Sequence, residues 1–235
     1  MACILHIETS TQACSVAVST GTHILYEEIN TEGPSHASLL GKFVENALTY
    51  ARSRQLKPDA VAVSCGPGSY TGLRIGVSEA KGLCFGMDLP LIAVNTLKVM
   101  ASKILKSNQL PDNALLCPML DARRMEVYAA IFDRQLETVR NTAADIVDEH
   151  SYSEYLLQQP VVFFGNGAEK CKRYLTGKNA VFLDGIYPVA ADMVDVAEKA
   201  FAADNFVNVA YFEPFYLKEF VATVPKSPLG RSMVK

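Results

Sequence analysis

The sequence lacks a charge bias. Across 235 residues, 22 Lys and Arg stand against 25 Asp and Glu, a formal charge of −3 and a pI of about 5.8. Without a basic excess, the chain offers no broad surface for gripping a phosphate backbone. Long apolar runs are also missing, so no membrane span is expected. The opening segment, Met1 to Glu8, has no basic n-region, and His6 and Glu8 interrupt its apolar run; no signal peptide is expected. None of the six cysteines (Cys3, Cys14, Cys65, Cys84, Cys117, Cys171) forms a C-x-x-C pair, and most lie in apolar runs. They read as reduced core thiols of a cytoplasmic protein. The four histidines (His6, His23, His36, His150) show neither H-x-x-x-H nor H-E-x-x-H spacing. No metal site is expected, and no Ser/His/Asp triad can be assembled.

What the chain does have is ordinary globular material. Apolar residues make up 49% and charged residues 20%, enough for a sizeable core. The length suits two small domains.

Cys3 to Glu8, Cys14 to Ser19 and His23 to Ile29 read as strands joined by the turns Thr9-Ser10-Thr11-Gln12 and Thr20-Gly21, an antiparallel meander. Pro34-Ser35 signals a helix start. His36, Leu39, Leu40, Phe43, Val44, Ala47, Leu48 and Ala51 then fall at helical spacing, and Pro58 stops the helix. Ala60 to Cys65 is a short apolar run of the buried parallel kind. A helix over Thr71–Phe85, a strand over Leu89–Val94 and a helix from Asn95 or Thr96 to Lys106 follow. Ser107 to Asn113 is polar and marks a boundary. Beyond it, Ala114–Leu120, Met125–Phe132, Val161–Phe164 and Ala180–Leu183 read as strands. Tyr152–Gln159, Ala168–Leu175 and Ala191–Ala203 read as helices. The repeat predicts two related α/β domains with mixed sheets, 1–106 and 107–222, then a tail over 223–235.

Gly66-Pro67-Gly68-Ser69-Tyr70-Thr71-Gly72 follows a buried strand and opens a helix that Ser69 or Thr71 can cap. Such a turn is either an anion seat or a purely structural tight turn. It has no Gly-Lys-Ser/Thr, and Thr71 stands where a third glycine of G-x-G-x-x-G belongs. Gly72, Gly76 and Ala80 recur every four residues along the helix, with Gly82 and Gly86 beyond. An interior glycine costs ~1 kcal/mol relative to Ala. The stripe therefore implies a close approach, either to the helix's own sheet or to another subunit. Thr9-Ser10, the charged turn Asp121-Ala122-Arg123-Arg124-Met125-Glu126 and Gly165-Asn166-Gly167 are each a phosphate-holding turn or a plain connection.

Three stretches carry a resemblance: Ile4-Leu5-His6-Ile7-Glu8-Thr9-Ser10, Gly66 through Gly76, and Asp121-Ala122-Arg123-Arg124-Met125-Glu126-Val127-Tyr128. With Pro214-Phe215-Tyr216-Leu217-Lys218 near the end, where the family closes on Arg, they resemble the TsaB (YeaZ) family over nearly the whole chain. The resemblance implies an α/β fold of the actin-like (ASKHA, ribonuclease-H-like) class, two related domains each with a mixed sheet flanked by helices. It implies a non-catalytic partner of a TsaD-type transferase in threonylcarbamoyl transfer to tRNA adenosine. It also implies a TsaE-type ATPase as a further partner, homodimers of the chain alone, and contact with tRNA only through the complex. No cofactor is required; weak ATP or ADP binding would use Thr9, Ser10, Gly66, Gly68, Ser69, Gly165 and Gly167. The partner helices would present His36, Leu39, Leu40, Phe43, Ala47, Gly72, Arg74, Ile75, Gly76, Glu79 and Ala80. The TsaD branch carries a metal-binding His-x-x-x-His where this chain has Thr96 and Met100, neither an imidazole ligand. The alternatives are an ATP-hydrolysing enzyme using Glu8 and, last, a glycopeptidase-like protease.

Overall fold

The computed structural model describes residues 1–33, 36–106 and 110–217. The Pro34-Ser35 start signal, residues 107–109 of the expected boundary, Lys218 and the expected tail lie outside the described residues.

Among the described residues, ten strands form two five-stranded sheets of the same design. In the first, β1 (Cys3–Glu8), β2 (Cys14–Thr20) and β3 (His23–Asn30) make an antiparallel meander, and β4 (Ala60–Gly66) and β5 (Leu91–Asn95) add parallel strands, in the order β3-β2-β1-β4-β5. In the second, β6 (Leu115–Asp121), β7 (Glu126–Phe132), β8 (Thr138–Ile146), β9 (Val161–Phe164) and β10 (Ala180–Leu183) repeat that plan as β10-β9-β6-β7-β8.

Helices α1 (His36–Ser53) and α2 (Tyr70–Met87) cover one face of the first sheet. Leu40, Phe43, Val44, Val77 and Cys84 meet Leu5, Ile7 and Val63 there. The Ser69 hydroxyl accepts from the Gly72 amide to start α2, and Asp88 in a left-handed conformation ends it. Asn95 caps α3 (Thr96–Leu105), its side-chain oxygen accepting from the amides of Leu97 and Lys98.

Helix α3 is shared by the two sheets. Its Val99 packs with Ile4, Ala62 and Ile92 of the first sheet. Leu97, Met100 and Ile104 pack with Leu116, Phe132 and Phe164 of the second. Burying each such side chain contributes ~1.5–3 kcal/mol, so one helix anchors both cores.

The second half departs from expectation in three places. Strand β8 has no counterpart in the sequence reading, because Thr138-Val-Arg-Asn-Thr-Ala-Ala-Asp-Ile146 is polar and lies half-exposed at a sheet edge. The helix expected over Ala168–Leu175 is a single 3₁₀ turn at Glu169–Cys171, and that over Tyr152–Gln159 shrinks to α4 (Ser153–Leu156). The chain also returns: α5 (Val194–Ala202) packs on the first sheet through Ala197, and Val207 bridges Leu91 there. A cut at residue 107 therefore parts the two sheets but leaves α5 on the wrong side of it. No helix among the described residues is long and apolar enough to cross a membrane.

The glycines of α2 face two ways. A Cβ on Gly72 would lie 2.1 Å from the Thr9 carbonyl oxygen, whereas one on Gly82 would meet nothing within 4 Å. Gly72→Ala should therefore destabilise by ~2–3 kcal/mol, while Gly82→Ala should stabilise by ~0.5–1 kcal/mol. Paired denaturant titrations check both signs; equal effects would contradict the two-faced helix.

Candidate functional site

The carboxyl ends of β1 and β4 face those of β6 and β9 across a cleft of about 840 Å³. Ser10, Gly68 and Ser69 line one wall, Asp121, Arg123 and Asn166 the other.

Each wall is closed by its own backbone. Gly66 has φ +112° and Gly165 +100°, conformations that only glycine adopts without strain. On the first wall the Ser69 amide donates to the Ser10 carbonyl at 2.7 Å, and a Cβ on Gly68 would lie 2.4 Å from the same oxygen. On the second, the Gly167 amide donates to the Met119 carbonyl at 3.0 Å, and a Cβ on Gly165 would lie 2.3 Å from that oxygen. These loops need glycine because each is pressed onto the end of a neighbouring strand. The Ser69 and Gly167 amides, which an anion would use, are engaged within the chain.

The proposed nucleotide set is thus only partly gathered. Ser10, Gly68 and Ser69 reach the cleft. Thr9 is buried, its hydroxyl donating to the Gly72 carbonyl at 2.8 Å. Gly66 lies beneath the Phe215 carbonyl. Gly165 borders a smaller hollow of about 430 Å³ instead, and Gly167 lines neither. Glu8 is fully buried and does not line the cleft. One of its oxygens accepts from the Ser10 amide at 2.6 Å, and burial pushes its carboxyl pKa up.

The Asp121–Glu126 turn is tightly determined. Arg123 and Arg124 both adopt left-handed φ, 69° and 49°. The Asp121 carboxylate accepts from the Arg123 amide at 2.8 Å, and Lys170 bridges Asp121 to the carbonyls of Arg124 and Glu126. The effect is to place Arg123 on the cleft wall.

Sequence reasoning missed the third side of the cleft. Phe215, Tyr216 and Leu217 return across its mouth. The Phe215 amide donates to the Cys65 carbonyl at 2.7 Å, and the Tyr216 and Tyr70 rings lie 4.9 Å apart. The Pro214–Leu217 motif was visible, but nothing in its composition says where it folds back.

The proposed partner residues also divide. Leu40, Phe43, Ala47, Gly72, Gly76 and Ala80 are buried inside the chain, and His36 is pinned by its Nε2 to the Thr11 carbonyl at 2.6 Å. Among the described residues of that set, Leu39, Arg74, Ile75 and Glu79 retain exposure. The outward face of α2 is Thr71, Arg74, Ser78, Gly82, Phe85 and Gly86, with Phe85 88% exposed.

Behind the cleft, His6 is fully buried, its Nε2 2.8 Å from the Ser19 hydroxyl. Burial, aided by Lys106, lowers its pKa to about 3.

A family model described as TsaD, tRNA N6-adenosine threonylcarbamoyltransferase, matches residues 28–224. The chain is 33% identical over 229 residues to the tRNA threonylcarbamoyladenosine biosynthesis protein TsaB of Escherichia coli, covering 93% of this chain and 96% of that protein. It is 31% identical over 232 residues to the protein of the same name from Haemophilus influenzae, covering 93% and 94%. Among solved structures, YeaZ from Pseudomonas aeruginosa superposes with a TM-score of 0.78 at 23% identity, over 92% of this chain and all of that one. The paired sheets share their fold with YeaZ.

Because His6 stays neutral when folded but titrates near 6.5 when unfolded, its contribution to stability is complete above pH 6.5 and is lost as pH falls toward 3. The loss at pH 3 is about 4 kcal/mol for this group alone. His6→Gln should flatten the acid limb of a stability-versus-pH curve. An unchanged limb would show that His6 is not held neutral.

Proposed function

The chain belongs to the TsaB family of tRNA threonylcarbamoyladenosine biosynthesis proteins, and from that premise we propose that it is the non-catalytic partner of a TsaD-type transferase. The observation that carries this reading is the outward face of α2. A buried glycine stripe holds the helix to its own sheet, and a second glycine pair, Gly82 and Gly86, opens to solvent beside the bare ring of Phe85. Small residues around one protruding aromatic ring permit a second helix to approach closely and bury that ring.

The cleft supports the same division of labour. Thr96 and Met100, at the positions of the transferase's metal histidines, are both fully buried. The described residues hold no group of three or more His, Cys, Asp or Glu suited to a metal ion. With two loop amides spent inside the chain, any ATP or ADP is held weakly and is not required. The transferase supplies the chemistry, this chain supplies a docking face, and a TsaE-type ATPase joins the pair. The chain meets tRNA through that complex, and alone it pairs with itself through the same face. Its six unpaired thiols suit the cytoplasm.

Co-expression with the cognate TsaD-type subunit should give one co-eluting heterodimer on size exclusion. Phe85→Asp should weaken that pairing at least ~10-fold and leave the melting temperature unchanged, because the ring is exposed. A wild-type chain that stays apart from its partner at micromolar concentration would overturn the reading.

A further inference from the structure

The mouth of the cleft carries aromatic rings and arginines that the closed loops do not use. Tyr70 and Tyr216 line it with their rings 4.9 Å apart. Arg74 stands beside them, its guanidinium 5.4 Å from the centre of the Tyr70 ring and donating to the Tyr70 hydroxyl at 3.2 Å. Tyr70 is thus occupied by its neighbours, and Tyr216, 37% exposed, is the ring that a ligand can reach. A ring held in place at a wet cleft is a stacking platform for a planar base.

On the opposite wall, Arg123 lines the same cleft and opens a short cationic track. Arg124 follows it in the chain. Arg173 reaches the same turn from beyond β9, its Nη2 3.0 Å from the Met125 sulfur. All three arginines are exposed, and among the described residues no ion pair reaches them. Of the carboxylates nearby, Asp121 is held by Lys170, Glu169 and Asp184 by Lys172, and Asp148 by the Ser151 hydroxyl and the His150 amide. Glu126 is the acid of the turn itself.

Together these groups suit a strand better than a free nucleotide. The Ser69 and Gly167 amides, which would seat a terminal phosphate, are bonded within the chain. Three guanidiniums from two loops serve more than one phosphate. Stacking on Tyr216 requires a base whose face is open, and so an unpaired one.

We propose that the mouth of the cleft binds single-stranded RNA directly, with an unpaired base on the Tyr216 ring and neighbouring phosphates on Arg123, Arg124 and Arg173. The complex then brings RNA to a chain that makes a contact of its own. The inference goes beyond the partner reading, and either can fail alone, because the contact is measured on this chain without the transferase.

Fluorescence anisotropy of the full chain with a labelled, unstructured RNA dodecamer at about 50 mM salt should show saturable binding at ~10–100 µM. Arg123→Gln should weaken it at least ~5-fold and lower its salt slope by about one. Tyr216→Ala should weaken it at least ~5-fold, and Tyr216→Trp should retain it, which separates stacking from a folding defect. Arg54→Gln, ~27 Å from the cleft along α1, should change nothing. No saturable binding by ~100 µM, an equal loss in Arg54→Gln, unchanged binding in both Arg123→Gln and Tyr216→Ala, equal binding of the same length of duplex, or displacement of the strand by equimolar AMP would each sink the proposal.

Discussion

The structure depends on how closely α2 lies against the turn after β1. The Thr9 hydroxyl donates to the Gly72 carbonyl at 2.8 Å, and Cβ atoms on Gly72 and Gly76 would fall 2.1 and 2.2 Å from Thr9 oxygens. The helix backbone rests directly on Thr9, on its carbonyl at Gly72 and on its side chain at Gly76. Leu73, Val77, Ala80 and Cys84 drop onto the sheet as a consequence. The interior-glycine penalty is offset by this fit. The same contact fixes where Ser69 and Gly68 stand relative to Ser10, and so fixes one wall of the cleft.

The opposite face of the first sheet has a different task. It must bury α3, which also belongs to the second sheet, and it does so with polar groups mixed into the apolar layer. The Ser15 hydroxyl accepts from the Ala190 amide at 2.9 Å, and Asp192 takes Lys103 and the Val189 amide. Directional bonds of this kind hold a register that apolar contact alone leaves free to slide. The two halves are therefore joined by a shared helix and a set of specific bonds, with a hollow left open at the carboxyl ends of their strands.

Much of this was legible in the sequence, for identifiable reasons. The duplicated meander showed because β1, β2, β6 and β7 are buried or nearly so and are rich in apolar residues. β8 did not show, because an edge strand needs one covered face and its residues alternate weakly. The glycine stripe was visible, but its phase was misjudged. From Ala80 to Gly82 is a step of two, which turns a helix by ~200° and moves the later glycines to the outer face. That arithmetic was available before any coordinates. The return of Phe215–Leu217 over the cleft was not, since it is a contact between residues about 150 apart in sequence and no local pattern encodes it.

The closed loops bear on how the proposed non-catalytic role suits this architecture. A cleft that works on phosphate leaves loop amides unpaired and convergent. Here Ser69 and Gly167 spend theirs on the carbonyls of Ser10 and Met119. The segment ending at Leu217 crosses the mouth, anchored to Cys65 and to the Tyr70 ring. The Ser69 bond and the returning segment stiffen the first domain around α2, and the Gly167 bond closes the opposite wall. Lys81 adds to this from α2 itself, donating to the carbonyls of Ala210 and Phe212 at 3.3 and 2.9 Å. Stiffness is what a docking helix requires, because a preorganised face loses less entropy when a partner covers it. On the proposed reading, the Ser69 bond and the returning segment brace the surface that meets the transferase.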